Sequence, residues 1–221
     1  MYVNENDDFY PVHDGWASFG GQRGTSPHYG SITPAKRRPL RPTSPATEIA
    51  GHMTLRINCW SGPRNISTSF MYAFRQRSDT TVFDEPIYAH YLRVTGREHP
   101  GRDEVLASQD PDGEAVVRDL ILGGHPTPVV FFKQMAQHFV QLDRAFLGEC
   151  RNLLLIRDPE RVITSFAKNV PDVKVADTGL PIQVELLEWI LADGGEPIVI
   201  DSAALLASPE ATLRTLCDRL G

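Results

Sequence analysis

Cysteine is scarce in this sequence of 221 residues: Cys59, Cys150 and Cys217 make an odd number at wide spacing, with no C-x-x-C pair. That pattern argues against a disulfide framework and against a cysteine-built zinc site, and leaves reduced core thiols in a cytoplasmic protein as the expectation. No apolar run approaches the ~18 residues that a membrane-spanning helix needs. The first residues carry no apolar signal-peptide core. A basic excess is also missing. The net charge of -6 excludes the usual nucleic-acid binder, although local basic patches for one small anionic ligand remain available. No metal-ligand triad, no Ser-His-Asp constellation and no internal repeat stands out.

What is present divides at Met53. Residues 1–52 hold repeated Pro, Gly, Ser and Thr and the basic cluster Lys36-Arg37-Arg38, with no periodic apolar pattern. Such a stretch buries too little apolar surface to offset its ordering entropy, so a disordered tail is expected there. From Met53 on, short apolar runs alternate with helical patterns. Strands are expected at 55–60, 80–85, 127–133, 152–157 and 197–201, and helices at 66–77, 113–124, 134–146, 159–168, 180–195 and 208–221. Pro159 opens one helix, and Ser208 is expected to cap the last with proline behind it. Strand alternating with helix implies parallel strands joined by crossovers. The unbroken run "NLLLI" fits a strand covered on both faces. The expected class is therefore α/β, in one domain over 53–221, a size that supports a sizeable core.

Two strand ends carry chemistry. "NCWSGPRNISTSF" (58–70) places Gly62, Pro63, Arg64 and Asn65 after a strand, then Ser67, Thr68 and Ser69 at a helix start. In a parallel sheet, ligands sit beyond the carboxyl ends of the strands. A helix N-terminus offers unpaired N–H groups to an anion, and an arginine adds forked donors. Together these suit a phosphate, although hydroxyls that merely cap the helix and a solvated Arg64 fit the spacing equally. The P-loop pattern G-x-x-x-x-G-K-S/T is not matched: its second glycine and its lysine are absent. The second stretch, "NLLLIRDPERVITSFAK", sets Arg157 at a strand end and Ser165 two helical turns on, which is either a second phosphate site or a surface Arg157–Asp158 pair with a helix serine.

Taken together, "SGPRNISTS" and "LLLIRDPERVITSF" resemble the two cofactor signatures of the sulfotransferase superfamily. The first resembles Pro-Lys/Arg-Ser/Thr-Gly-Ser/Thr-Ser/Thr, and the second an Arg-Asp/Asn-Pro motif followed by a serine. Arg157, Asp158, Pro159 and Ser165 fall in place. Val162 stands where the family is acidic, with Glu160 nearby, and Ile66 and Asn65 replace a small residue and a hydroxyl. The ending "LLASPEATLRTLCDRLG" is also similar to a family segment, so the resemblance runs over about residues 53–221. It implies a three-layer α/β/α fold with a central, mostly parallel, P-loop-like sheet. It also implies transfer of a sulfuryl group from 3′-phosphoadenosine 5′-phosphosulfate (PAPS) to a hydroxyl or amine of a small-molecule acceptor, with no metal. Relatives continue into a glycine-rich loop beyond Gly221, so a missing C-terminal part is expected.

The resemblance implies that Gly62, Pro63, Arg64, Asn65, Ser67, Thr68 and Ser69 hold the 5′-phosphosulfate, and that Arg157 and Ser165 hold the 3′-phosphate. Sulfuryl transfer, like phosphoryl transfer, asks for cations around the moving group and a base for the acceptor. Arg64 and Lys133 are the expected cations, and Glu85, beside Asp84, is the expected base. His138 is expected in the helix after Lys133, as a surface or core residue. Tyr88, His90 and Tyr91 line either the acceptor pocket or the core, and 169–180 is a lid or a plain connection. Two rival readings keep the fold: a kinase or hydrolase with Asp201 as its metal-binding aspartate, and a degenerate module that binds a nucleotide without catalysis.

Overall fold

Every strand that positions the site runs in the same direction. The computed structural model describes residues 54–99, 101–168 and 173–221. The expected tail over 1–52, and Met53 itself, lie outside the described residues. Five strands form one sheet: β1 Leu55–Ser61, β2 Thr80–Asp84, β3 Val129–Met135, β4 Arg151–Ile156 and β5 Ile198–Asp201. Their order is β2-β3-β1-β4-β5, and each neighbouring pair is parallel. The central strand β1 is flanked by strands that follow it on either side, which opens a crevice beyond its carboxyl end.

Alternation along the strands feeds two cores. Trp60, Val130, Phe132 and Leu154 face one layer, with Leu186 and Ile190 packed on them from α6 (Leu180–Ala192). Ile57, Cys59, Phe131 and Leu155 face the other layer. There they meet Phe70 and Phe74 of α1 (Ser67–Arg75) and Leu216 and Leu220 of α8 (Pro209–Leu220). The result is the three-layer α/β/α arrangement. Leu153, Leu154 and Leu155 are almost wholly buried, as the "NLLLI" run requires. Burial pushes the Cys59 thiol up to about 12, and likewise that of Cys150, so both behave as inert core residues.

Several elements differ from the expectation. No helix covers 134–146: β3 runs on through Met135, a short 3-10 turn spans Ala136–His138, and another spans Arg144–Glu149. Met135, Phe139 and Phe146 have helical spacing, but Phe139 and Phe146 instead meet Trp60 and each other as core aromatics. Ser208 sits before α8 and makes no side-chain capping bond. Additional helices fill segments without an expected element: α2 Tyr88–Thr95, α3 Arg102–Ser108 and α7 Ser202–Ala207. The expected helix at 113–124 is a short α-helical start, α4 Gly113–Ala115, that continues as a π-helical stretch over Val116–Ile121. The helix after β4, α5 Pro159–Ala167, is capped by Asp158, which accepts from Glu160 N and Arg161 N. Among the described residues, no helix is long and apolar enough to cross a membrane.

Candidate active site

Four strand tips contribute to one cluster. After β1, the chain turns through Gly62, Pro63, Arg64 and Asn65 into α1. Arg64 adopts a left-handed backbone, φ 58°, a conformation that non-glycine residues hold only where their surroundings impose it. Its Nε donates to Ser165 Oγ at 2.8 Å. From the tip of β4, Arg157 Nη1 donates to the Arg64 carbonyl at 2.6 Å. Arg64, Arg157 and Ser165, separated by up to 101 positions, are thus joined at adjacent strand ends. The two arginines lie together beyond the carboxyl ends of two adjacent inner strands, not on opposite faces of the sheet.

Asn65 stitches this turn to the sheet. Its Nδ2 donates to Leu155 O at 3.0 Å, and its Oδ1 accepts from Ile66 N at 2.9 Å. Ile66 packs against the core cluster that contains Ile57 and Phe70, so its bulk is taken up by the core. α1 begins at its N-cap, Ile66, without a side-chain capping bond, and a helix N-terminus of this kind suits an anion. Ser67 is buried, Thr68 half-buried and Ser69 exposed. Thr68 Oγ1 accepts from Lys133 Nζ at 3.3 Å.

Lys133 links the start of α1 to the acidic residues at the end of β2. Register pairs Asp84 with Lys133, and Lys133 Nζ lies 2.6 Å from Asp84 Oδ1 and 2.9 Å from Glu85 Oε1. Lys133 is 0% exposed and Glu85 3%. Glu85 also takes a left-handed backbone, φ 51°, and its N–H donates to Lys133 O at 2.8 Å. Burial opposes the charge on Lys133, but the two carboxylates outweigh it and hold its pKa above the ordinary value. Burial raises Glu85, with Lys133 pulling the other way. These directions are compatible: one ammonium faces two carboxylates, Asp84 keeps partial access to water, and the uncompensated proton affinity falls on the buried Glu85.

His138, expected within a helix, instead ends the 3-10 turn after β3 and is 4% exposed. Its Nδ1 lies 3.8 Å from Glu85 Oε2. Tyr88 stacks on its ring at 4.5 Å and 6°, and Tyr91 approaches at 4.6 Å. His90 is turned elsewhere: its Nε2–H donates to Val140 O at 2.8 Å and its Nδ1 accepts from Gly113 N at 3.1 Å, an arrangement that serves packing. Burial, with the Lys133 charge adding to it, drives the His138 pKa well below 6.5. The unfolded chain therefore takes up a proton near pH 6.5 that the folded protein refuses. Stability falls as pH drops below that point, by up to about 1.4 kcal/mol per pH unit from this group. Urea titrations of His138→Phe are expected to show a flatter loss of stability between pH 6.5 and 5 than wild type.

Part of the segment expected as a lid, 169–172, lies outside the described residues. The remainder packs on the site. A 3-10 turn over Val175–Thr178 leads into Gly179, φ 71°. A Cβ placed at Gly179 would fall 3.3 Å from Gly62 Cα and 2.8 Å from Gln137 Oε1. A Cβ on Gly62 would collide with the Thr178 carbonyl, so only glycine permits this approach. Gly62→Ala should displace the 175–178 turn and cost about 1–3 kcal/mol in a chemical-denaturation midpoint; an unchanged midpoint would show that the contact is dispensable. Asp201 ends β5 and caps α7 by accepting from Ala203 N at 2.8 Å. Among the described residues no group of three or more metal-ligating side chains gathers.

The fold and this arrangement define a P-loop-like α/β protein with a cationic crevice at its central strand tips. The family described as "Sulfotransferase domain" matches residues 55–221, and the chain belongs to that family. Two curated relatives from Arabidopsis thaliana, branched-chain-amino-acid aminotransferase-like proteins 2 and 1, are 39% and 40% identical over 165 residues, 74% of this chain. The chain spans only 29% and 30% of their respective lengths. Among solved structures, a sulfotransferase domain from the curacin biosynthetic pathway is 15% identical, with a TM-score of 0.44 over 76% of this chain and 74% of that one.

Proposed function

We propose that this protein moves a sulfuryl group from PAPS to a hydroxyl or amine of a small-molecule acceptor. The observation that carries the reading is the joining of Arg64, Arg157 and Ser165 at the tips of β1 and β4, next to the Lys133–Glu85 pair at the tips of β3 and β2. The donor set suits a nucleotide with phosphates at both ends. Arg157 and Ser165 supply a cation and a hydroxyl for a 3′-phosphate. The uncapped start of α1, with Arg64, Thr68 and the backbone N–H groups that follow, suits a 5′-phosphosulfate.

PAPS supplies an activated sulfuryl group whose anhydride bond to phosphate is ready to break. The acceptor oxygen or nitrogen forms the new bond to sulfur. The bridging oxygen leaves with the electron pair on 3′,5′-adenosine diphosphate, and the acceptor proton passes to Glu85. Lys133 and Arg64 are the cations that stabilise charge gathering on the transferring group and the leaving phosphate. Glu85 suits the base role because burial raises its proton affinity.

The reading is tested by incubating the protein with labelled PAPS and a panel of alcohols, phenols and amines. Acceptor-dependent appearance of sulfated product supports it, whereas magnesium-dependent turnover of ATP with no use of PAPS would replace it with a kinase or hydrolase. Arg157→Ala removes a charge-assisted contact. It is expected to weaken 3′,5′-adenosine diphosphate binding in calorimetry by about 10- to 100-fold, corresponding to roughly 1.5–3 kcal/mol.

A further inference from the structure

We infer that Asn65 is a positioning residue that sets the preference of the site for a nucleotide phosphorylated at both ends: it braces the turn after β1 against the tip of β4, and its side chain does not touch the ligand. The inference rests on the sulfotransferase reading, and it gives Asn65 a different role from the phosphate contact that the resemblance implies. Both ends of the Asn65 amide are taken up inside the protein. Nδ2 donates to Leu155 O at 3.0 Å, and Oδ1 accepts from Ile66 N at 2.9 Å. A carbonyl requires a donor and an N–H an acceptor, so these partners fix which way the amide faces.

The brace sits where the sheet stops supporting the turn. Pairing between β1 and β4 runs out at Ser61 and Leu155, and the chain leaves β1 through Gly62 and Pro63. Arg64 then holds a left-handed backbone, φ 58°, which is costly for a residue with a Cβ unless its neighbours impose it. Two straps do so. Asn65 ties the turn to Leu155, and Arg157, two residues further along β4's exit, donates back to Arg64 O at 2.6 Å. The two bonds run in opposite directions between the same two segments. Leu155 O also accepts from Gln183 Nε2 at 3.0 Å, and Gln183 reaches Trp60 O as well, so the anchor point is itself held by α6.

The braced turn carries Arg64 and leads into the first N–H groups of α1, which lack intrahelical partners and suit the 5′ end of the nucleotide, while Arg157 and Ser165 suit the 3′ end. A ligand that reaches both ends gains from a fixed spacing between them, because its second contact is made with no further ordering of the protein. A ligand with one phosphate does not use that spacing. Loosening the brace therefore acts on the discrimination between the two. A direct phosphate contact from Asn65 would act equally on every ligand that carries a 5′-phosphate.

Calorimetry on the full chain with 3′,5′-adenosine diphosphate and with 5′-adenosine monophosphate, for wild type, Asn65→Ser and Asn65→Ala, separates the two roles. Serine restores a hydroxyl that a phosphate could use but stops a bond length short of Leu155 O, so both variants lose the brace. Leu155 O keeps Gln183 as a donor in each, so neither variant orphans that carbonyl. Both are expected to bind the diphosphate about tenfold more weakly, the scale of one lost hydrogen bond, and the monophosphate within about twofold of wild type. Equal losses for the two nucleotides, wild-type diphosphate affinity in Asn65→Ser, or no loss in either variant would overturn the inference. If Asn65→Ala does not fold, Asn65→Ser alone decides. Hydrogen exchange of the unliganded protein gives a second readout: protection of the Ile66 N–H should fall about tenfold in both variants while β1 keeps its own, and unchanged protection would overturn the brace. If wild type binds neither nucleotide, the donor reading falls, and exchange at Ile66 still decides whether Asn65 holds the turn.

Discussion

Replacing Lys133 with methionine is expected to destabilise the protein by about 3–5 kcal/mol, the cost of removing one partner from a buried ionic cluster. Lys133 is fully buried and lies within 3 Å of both Asp84 and Glu85. Methionine is close to lysine in volume, so the loss comes from the charges left behind more than from a cavity. Two measurements isolate that cause. The double variant Lys133→Met/Glu85→Gln should be more stable than Lys133→Met alone, because the stranded carboxylate is gone. In Lys133→Met itself, the folded-state pKa of Glu85 rises further above its unfolded value. The folded form then binds a proton that the unfolded form releases, so stability is recovered as pH falls and lost as pH rises through the folded pKa. A loss that is independent of pH and additive with Glu85→Gln would show that packing, and not charge, accounts for Lys133.

Glu85→Gln is expected to lower the turnover of sulfuryl transfer by about 10²- to 10⁴-fold, the range for losing a positioned general base. Affinity for 3′,5′-adenosine diphosphate should stay within a few-fold of wild type, because Glu85 faces Lys133 and His138 and not the Arg64–Arg157 cluster. The wild-type rate should also fall on the acid side as Glu85 becomes protonated. Since burial raises its pKa above 4.5, that limb lies above the pH at which an exposed glutamate would lose its charge. The limb should vanish in Glu85→Gln. Turnover near wild type in this variant, with the acid limb intact, would remove Glu85 from the mechanism.

The parallel sheet was legible because apolar runs of strand length alternated with helical periods. The turn after β1 was legible because glycine, proline and arginine followed a strand directly. The meeting of Arg64 with Arg157 was accessible only through motif order, since no local pattern reports that β4 lies beside β1. Around β3, periodicity misled. Met135, Phe139 and Phe146 are spaced as a helix, yet Met135 ends β3, Phe139 and Phe146 are claimed by the tertiary core, and short 3-10 turns at Ala136–His138 and Arg144–Glu149 stand where the helix was expected. That error hid His138, which leaves a helix surface and arrives beside Glu85. The contacts between Asp84, Glu85 and Lys133 depend on the register of two strands about 50 positions apart and on one left-handed residue, neither of which is written in local sequence. The left-handed backbones of Arg64 and Glu85 are themselves pointers, because strained non-glycine residues gather at functional sites.

The central claim is that one nucleotide is gripped at both ends by the cluster after β1 and β4. Calorimetry comparing 3′,5′-adenosine diphosphate with 5′-adenosine monophosphate tests it most directly, since the two differ by a single phosphate. Tight binding of the diphosphate is expected, with affinity for the monophosphate lower by about 100-fold, roughly 2.7 kcal/mol. Equal affinity for the two ligands, or heat from neither, would contradict it.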